Sequence, residues 1–247
     1  APPISAFESS SRAMFRKAHD VNERSRARLK NSELKKLRGA LCEEFGVSQD
    51  EMNSLMPVKD GVVAVKLASK TVVYLHAPSQ TPLFFDKGGR KDLYPTLFIL
   101  WRFPAFLPPL FTHCGVCPRI VGGADLMLPG VIAAAHERLG YPLAALRRGE
   151  KRCVMALGNP MPLAVGEVLK DASEISVTGL RGKGLQIHHV FGDQLYGMGN
   201  REPPEGFEPG RVLPITEILP DEQAEGEDDD GDGGQGGAAE EGEGEGE

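Results

Sequence analysis

The sequence predicts an α+β chain. It should hold an N-terminal α+β unit over residues 14–110, a small β-barrel over 111–200 and a disordered linker over 201–247. Three observations predict this. Apolar residues recur at helical spacing and then give way to β-rich segments in the first unit. Short strands alternate with Gly/Pro turns in the second. Charge is sharply segregated: the chain has 28 basic and 35 acidic residues for a net charge of −7, yet Asp221–Glu247 holds 13 Asp/Glu and no Lys or Arg. The stretch Met14–Asn200 alone carries 25 basic and 17 acidic residues, a net +8. A basic body joined to an acidic tail points to a polyanionic partner.

The first helix should be capped by Asn31 or Ser32 and run to Phe45. Leu34, Leu37, Leu41 and Phe45 recur at spacings of three and four, with Lys35, Lys36 and Arg38 on the other faces. Gly46 stops it. Ser48 with Glu51 forms a capping box for a short second helix, ended by Pro57. Strands follow at Val62–Leu67, Thr71–His76 and Leu83–Asp86. Pro95 suits the first turn of a helix carrying Leu97, Ile99, Leu100 and Trp101. The Pro104–Pro109 run breaks the chain, and the domain boundary is expected near Leu110.

In the second unit, Gly122-Gly123 and Pro129-Gly130 bracket a short apolar strand. A charged turn at Arg147–Lys151 leads to strands Cys153–Leu157 and Leu163–Leu169. Ser173 caps a helical turn, and the loop Thr178–Gly184 leads into strand Leu185–Phe191. Folded structure is expected to end near Asn200. Arg201–Pro220 holds five prolines and reads as an extended connector. Asp221–Glu247 lacks side chains able to offset the entropy of ordering.

Several classes are excluded. No run of 18 apolar residues exists, so no membrane span is expected. The N-terminus lacks the apolar segment of a secretory signal, and Glu8, Asp20 and Glu23 disfavour an organelle leader. Four cysteines do not make a disulfide framework, so the expected setting is the reducing cytoplasm. His113-Cys114-Gly-Val-Cys117 has the spacing of half a zinc site, but the other half is missing and no metal is expected. No Walker, G-x-S-x-G or H-E-x-x-H motif is present, so neither an enzyme nor a cofactor is expected.

The segments LYPTLFILWRFPAFLPP from Leu93, IVGGADLMLPGV from Ile120 and AVGEVLKDASEISVTGLRGKGLQIHHVFGDQLY from Ala164 carry a family resemblance, as does MFRK at Met14. Over residues 14–200 the chain resembles the N-terminal half of the ligatin family, translation factors of the initiation factor 2D type. Its second half resembles a PUA domain, an RNA-binding pseudo-barrel. The same two-domain unit is found in the malignant T-cell amplified sequence proteins, whose partner is the density-regulated protein. The resemblance implies binding to the small ribosomal subunit, with tRNA and rRNA as partners. It implies placement or release of tRNA at the peptidyl site without nucleotide hydrolysis. It also implies either further C-terminal domains beyond the acidic linker or a separate density-regulated-type partner. Residues 1–13 and the cysteines at 114 and 117 depart from the family pattern.

Candidate contact residues fall in three groups. Arg24, Arg26, Arg28 and Lys30, followed by Lys35 and Lys36, read as an extended or flexible basic arm for phosphates, or else as a solvated segment before the helix. Gly122, Gly123, Ala124, Asp125, Pro129 and Gly130, beside Arg119, form a corner without bulky side chains. There RNA backbone could approach free N–H groups, or the glycines serve only tight turns. Arg181, Lys183 and Gly184 form a basic glycine loop that grips phosphates or the acceptor end of tRNA, or is an ordinary exposed turn. In the strand that follows, one of His188 and His189 should face the core, and His189 is assigned to RNA. Two rival readings are an interaction subunit and an accessory domain of an RNA-modifying enzyme.

Overall fold

The structure is a computed structural model that describes residues 13–208. The expectations for residues 1–12 and for the linker beyond Glu208 lie outside the described residues.

The first sheet is an antiparallel meander of β1 (Glu23–Arg28), β2 (Val62–Leu67), β3 (Val72–His76), β4 (Pro82–Asp86) and β5 (Leu93–Pro95), in that order. Helices α1 (Asn31–Phe45) and α2 (Gln49–Leu55) connect β1 to β2. The α1 stripe buries Leu34 and Leu41, and Gly46 ends the helix at φ 64°. Lys30, not Asn31 or Ser32, is the cap residue: its N–H donates to Glu33 Oε2 at 2.8 Å. The Ser48–Glu51 box forms as the spacing predicts, with Glu51 N–H donating to Ser48 Oγ at 3.2 Å and Ser48 N–H to Glu51 Oε2 at 2.9 Å.

Three local readings are corrected. The basic arm is strand β1, paired with β2 in a register that sets Arg26 opposite Val65. Every β1 side chain is exposed, so no apolar alternation marks it in the sequence. Pro95 closes β5 rather than opening a helix, and α3 (Leu97–Arg102) starts after Thr96. Arg38 is buried on α1, where its guanidinium donates to Asn53 Oδ1.

The second sheet has the order β6-β8-β9-β10-β7: β6 (Pro109–Thr112), β8 (Lys151–Ala156), β9 (Ala164–Val168), β10 (Lys183–Val190) and β7 (Leu126–Met127). The β6–β8 pair is parallel, so the chain must cross over between them through α4 (Cys117–Val121), β7 and α5 (Ala133–Arg138). A bridge from Thr112 on β6 to Val131, four residues past β7, brings the two sheet edges together and nearly closes the barrel. Helix α6 (Ala172–Thr178) follows β9 and is capped by Asp171 rather than Ser173. Gly166 is required where β9 crosses β10, because a Cβ there would run into the Gln186 carbonyl.

The two sheets share one continuous core. Trp101 sits at the seam among the rings of Phe98, Phe191, Tyr196 and Phe207, and its Nε1–H donates to the Pro162 carbonyl at 2.9 Å. Phe207 is buried there, so packing extends past Asn200 into the proline-rich connector. The start of the described chain also joins the second sheet: Met14 N–H donates to His188 O at 3.1 Å and Gln194 N–H to Phe15 O at 2.8 Å.

A polar cluster completes the seam. Lys87, just after β4, lies 3.1 Å from both Glu167 Oε2 on β9 and His188 Nε2 on β10, and Tyr94 OH donates to Glu167 at 3.0 Å. Lys151 pairs with Glu44 and with Asp92 at 3.0 Å, and lies 4.4 Å from the Tyr94 ring centroid. Burial, then the Lys87 charge, pushes His188 down to about 4 from the usual 6.5. Burial pushes Glu167 up, but hydrogen bonds from Lys87, Tyr94 and His188 outweigh it and leave its carboxyl below the usual range. A neutral His188 in the fold has a consequence for stability. Between pH 6.5 and about 4 the unfolded chain takes a proton that the folded chain refuses, so stability must fall as pH falls through that window. Urea midpoints at pH 7, 5.5 and 4.5 should decline, and His188→Phe should flatten that decline. An equal slope in the variant would remove His188 as the cause.

Candidate nucleic-acid interface

Pairing of β7 with β10 brings two of the predicted groups together. Lys183 lies opposite Met127, and Leu128 N–H donates to Gly182 O at 2.8 Å. The 122–130 corner and the 181–184 loop thus form one surface on the barrel.

At its centre, Asp125 is buried rather than offered to a ligand. Its Oδ1 accepts from Ile187 N–H at 3.1 Å and its Oδ2 pairs with Lys183 Nζ at 3.1 Å. A carboxylate would repel phosphate, and here it holds β10 and positions Lys183. The amides of the corner are not free either. Gly122 N–H donates to Pro118 O, Gly123 N–H to Ile120 O and Ala124 N–H to Arg119 O, all within 3.0 Å. The expected amide cradle at 122–124 is therefore absent, because the turn that ends α4 uses those donors itself.

The glycines have packing duties. Gly123 is buried at φ 87°, and a Cβ there would strike the Arg16 guanidinium. Gly184 is buried with its Cα face on the Leu128 side chain. Gly130 is half-buried against Val116. Gly122, Ala124 and Pro129 remain exposed.

What the surface offers is side-chain charge. Arg119 on α4 and Arg181 in the loop are exposed and meet no carboxylate among the described residues. Lys183 is about half exposed despite its partner. Sequence reasoning missed two further cations. Arg16 reaches over Gly123, and Lys170 Nζ donates to Arg181 O at 2.9 Å and props the loop. Neither position carries a sequence signal, since only the fold brings residues 16 and 170 to this corner. Exposed Met127 and Val121 sit on the same elements, giving apolar surface among the charges.

His189 is overturned as a contact. Its ring is fully buried, with Nδ1 2.8 Å from Asp193 Oδ2, and His188 is buried too. The pairing of β10 with β9 shifts between Ile187 and His189, and this irregularity breaks the strict alternation that would have sent one ring outward.

The first-sheet group stands apart, on β1, at the cap of α1 and on α1 itself. Arg24, Lys30, Lys35 and Lys36 are exposed and meet no carboxylate among the described residues. Arg26 is engaged by Glu23 at 3.0 Å and by Gln80, and Arg28 donates to Asp60 O at 3.0 Å while covering Gly61. At the Cys-x-x-Cys segment, burial and then the neighbouring Cys114 push the Cys117 thiol up to about 11. Among the described residues no group of three or more His, Cys, Asp or Glu could hold a metal. No helix among them is long and apolar enough to cross a membrane.

Comparison with known proteins matches both halves of the described chain. Residues 15–104 match the model of a Pre-PUA-like domain, and residues 107–194 match that of the "elF2D, PUA domain". Eukaryotic translation initiation factor 2D of Mus musculus is 32% identical over 203 residues, covering 79% of this chain and 33% of that one. The chain thus spans about a third of the length of the initiation factor 2D relatives it matches. Translation machinery-associated protein 20 of Saccharomyces cerevisiae is 26% identical over 183 residues, covering 74% of this chain and 97% of that one. A hypothetical protein from the archaeon Pyrococcus horikoshii has the same fold, with a TM-score of 0.54 at 19% identity over 71% of this chain and 99% of that one. Residues 15–194 thus join a Pre-PUA-like domain to a PUA domain of the initiation factor 2D type, and it is in this pair of domains that the chain is similar to initiation factor 2D.

Proposed function

We propose that this chain is an RNA-binding, non-enzymatic module of a translation factor. It binds the small ribosomal subunit and tRNA, and assists placement or release of tRNA at the peptidyl site without hydrolysing nucleotide. Its setting is the cytoplasm. The domains are taken as residues 14–110 and 111–200, with a linker over 201–247. The observation that carries this reading is the match of both domains, in order, to relatives named for translation.

Charge placement supports it. Exposed cations that meet no carboxylate among the described residues are Arg24, Lys30, Lys35 and Lys36 in the first domain and Arg119 and Arg181 in the second. Each phosphate met by such a cation releases counterions, so affinity should be strongly salt-dependent. Two modest surfaces on one body bind jointly more tightly than either alone.

The test is co-sedimentation of the full chain with purified small ribosomal subunits, with and without deacylated tRNA, over a salt series. The expected result is binding that tRNA reinforces and that weakens steeply between 50 and 200 mM salt, by on the order of 10³-fold if about six phosphates are met. Salt-independent binding, or none, would overturn the reading.

A further inference from the structure

Helix α1 carries two stripes. Leu34, Arg38 and Leu41 form the buried one. Glu33, Lys36, Leu37 and Ala40, at i, i+3, i+4 and i+7, share a second face and line one side of a cleft of about 270 Å³. Leu29, Tyr74 on β3 and Leu93 on β5 line it as well. Leu29, Leu37 and Ala40 are only half-buried, so the fold leaves apolar surface uncovered there.

The polar groups of the cleft fall into two kinds. The Tyr74 hydroxyl has no hydrogen-bond partner among the described residues. Burial, then the Asp86 charge, pushes it up to about 12, so it stays a neutral donor. Lys36 and Lys91, which also lines the cleft, are exposed and meet no carboxylate among the described residues. The two carboxylates at the cleft are engaged instead. Glu33 Oε2 accepts from Lys30 N–H at 2.8 Å, and Asp86 accepts from the N–H groups of Arg90, Lys91 and Asp92 at 3.0, 2.9 and 3.0 Å. The three bonds to Asp86 hold Lys91 at φ 68°, a left-handed conformation that costs a lysine energy. A strained turn thus fixes a cation at the cleft, across from Lys36 on α1.

These features select a ligand class. The volume falls below the roughly 300–1,000 Å³ of small-molecule sites and suits a single side chain. Tyr74 is the one aromatic residue among the described lining residues, and no arginine is among them. A nucleobase would have no pair of planar groups to stack between. Aliphatic walls flanked by two cations instead complement an apolar anchor flanked by carboxylates.

We propose that this cleft docks an acidic peptide segment of a partner protein, one apolar side chain seated against Leu37, Ala40 and Leu93 and its flanking carboxylates on Lys36 and Lys91. The Tyr74 hydroxyl donates to a carbonyl of that segment. The site is separate from the 119–130 corner and does not rest on the RNA reading. Of the cations assigned there to phosphate, it claims Lys36 alone.

The probe is the peptide acetyl-Glu-Glu-Phe-Glu-Glu-amide, titrated into the full chain and followed by backbone amide chemical shifts. It should bind more tightly than about 1 mM, moving the amides of Leu37, Ala40, Tyr74 and Leu93. Alanine in place of its phenylalanine should weaken binding at least about tenfold. Glutamine in place of its glutamates, or Lys36→Glu in the protein, should weaken it by roughly threefold or more at low salt. Tyr74→Phe should weaken it about three- to tenfold and leave the urea midpoint unchanged, since the hydroxyl bonds nothing in the fold. Ala40→Met keeps a good helix former and fills the cleft, so it should abolish binding. If that variant proves less stable, Tyr74→Phe and the peptide series decide the matter. No saturable shift, or equal binding of the alanine peptide, overturns the proposal. So does a 20-nucleotide oligouridylate that moves Tyr74 and Leu93 where the peptide does not, which would give the cleft to a nucleobase.

Discussion

Replacing Trp101 by alanine should cost the fold about 3–5 kcal/mol, the range for truncating a large buried aromatic. The indole is packed by four aromatic rings drawn from α3, the chain after β10 and the connector. Its removal leaves a cavity at the seam and strips the Pro162 carbonyl of its donor. Trp101→Phe keeps most of the ring volume and loses the hydrogen bond, for about 1 kcal/mol. Equilibrium unfolding in urea would measure both. The alanine variant should also unfold in two steps, because the seam it weakens is what joins the sheets. A loss below about 1 kcal/mol, or an unchanged single transition, would mean that Trp101 does not tie the domains together.

The largest functional effect is expected from Arg119→Glu with Arg181→Glu. Both guanidinium groups are exposed and meet no carboxylate among the described residues, so the double variant should keep its thermal midpoint. Reversing two phosphate contacts should weaken RNA binding by about 10- to 100-fold at low salt and reduce the salt slope by about two. Lys183 is a poorer choice. A glutamate there would face buried Asp125 and disturb the β7–β10 pairing, confounding binding with folding. Unchanged affinity in the double variant would remove the corner from the interface.

The helices and central strands were legible because burial imposes a period. Leu34 and Leu41 mark the buried stripe of α1, and Gly46 must adopt the left-handed conformation that ends it. Strand β3 alternates buried and half-buried residues as its Val/Leu pattern implies. Where burial imposes nothing, the sequence is mute. β1 has no buried residue, so its arginines read as an arm. β5 is three residues long and fully buried, too short for any alternation. The candidate site was legible as two basic glycine segments, and their meeting follows from the strand pairing. Its chemistry was less so. Whether an amide is free, a carboxylate buried or an arginine sheltered depends on partners far along the chain, as Asp125 with Ile187 and Arg38 with Asn53 illustrate. His189 failed for a related reason: a single irregularity in pairing changes which way a side chain points.

If the two cationic surfaces bind RNA as proposed, the seam formed by Lys87, Glu167, His188, Tyr94 and Trp101 gives the molecule the character of a caliper. A tether between two binding surfaces lets each search separately and tolerates any spacing within its reach. Here hydrogen bonds and edge-on ring contacts fix the jaws. Ligands whose charged groups lie at the set distance gain both contacts with no further loss of freedom. Ligands that are longer or shorter gain one. The gap is then itself a recognition element, written in residues that touch no ligand, and repacking Trp101 or Glu167 would change what the molecule measures.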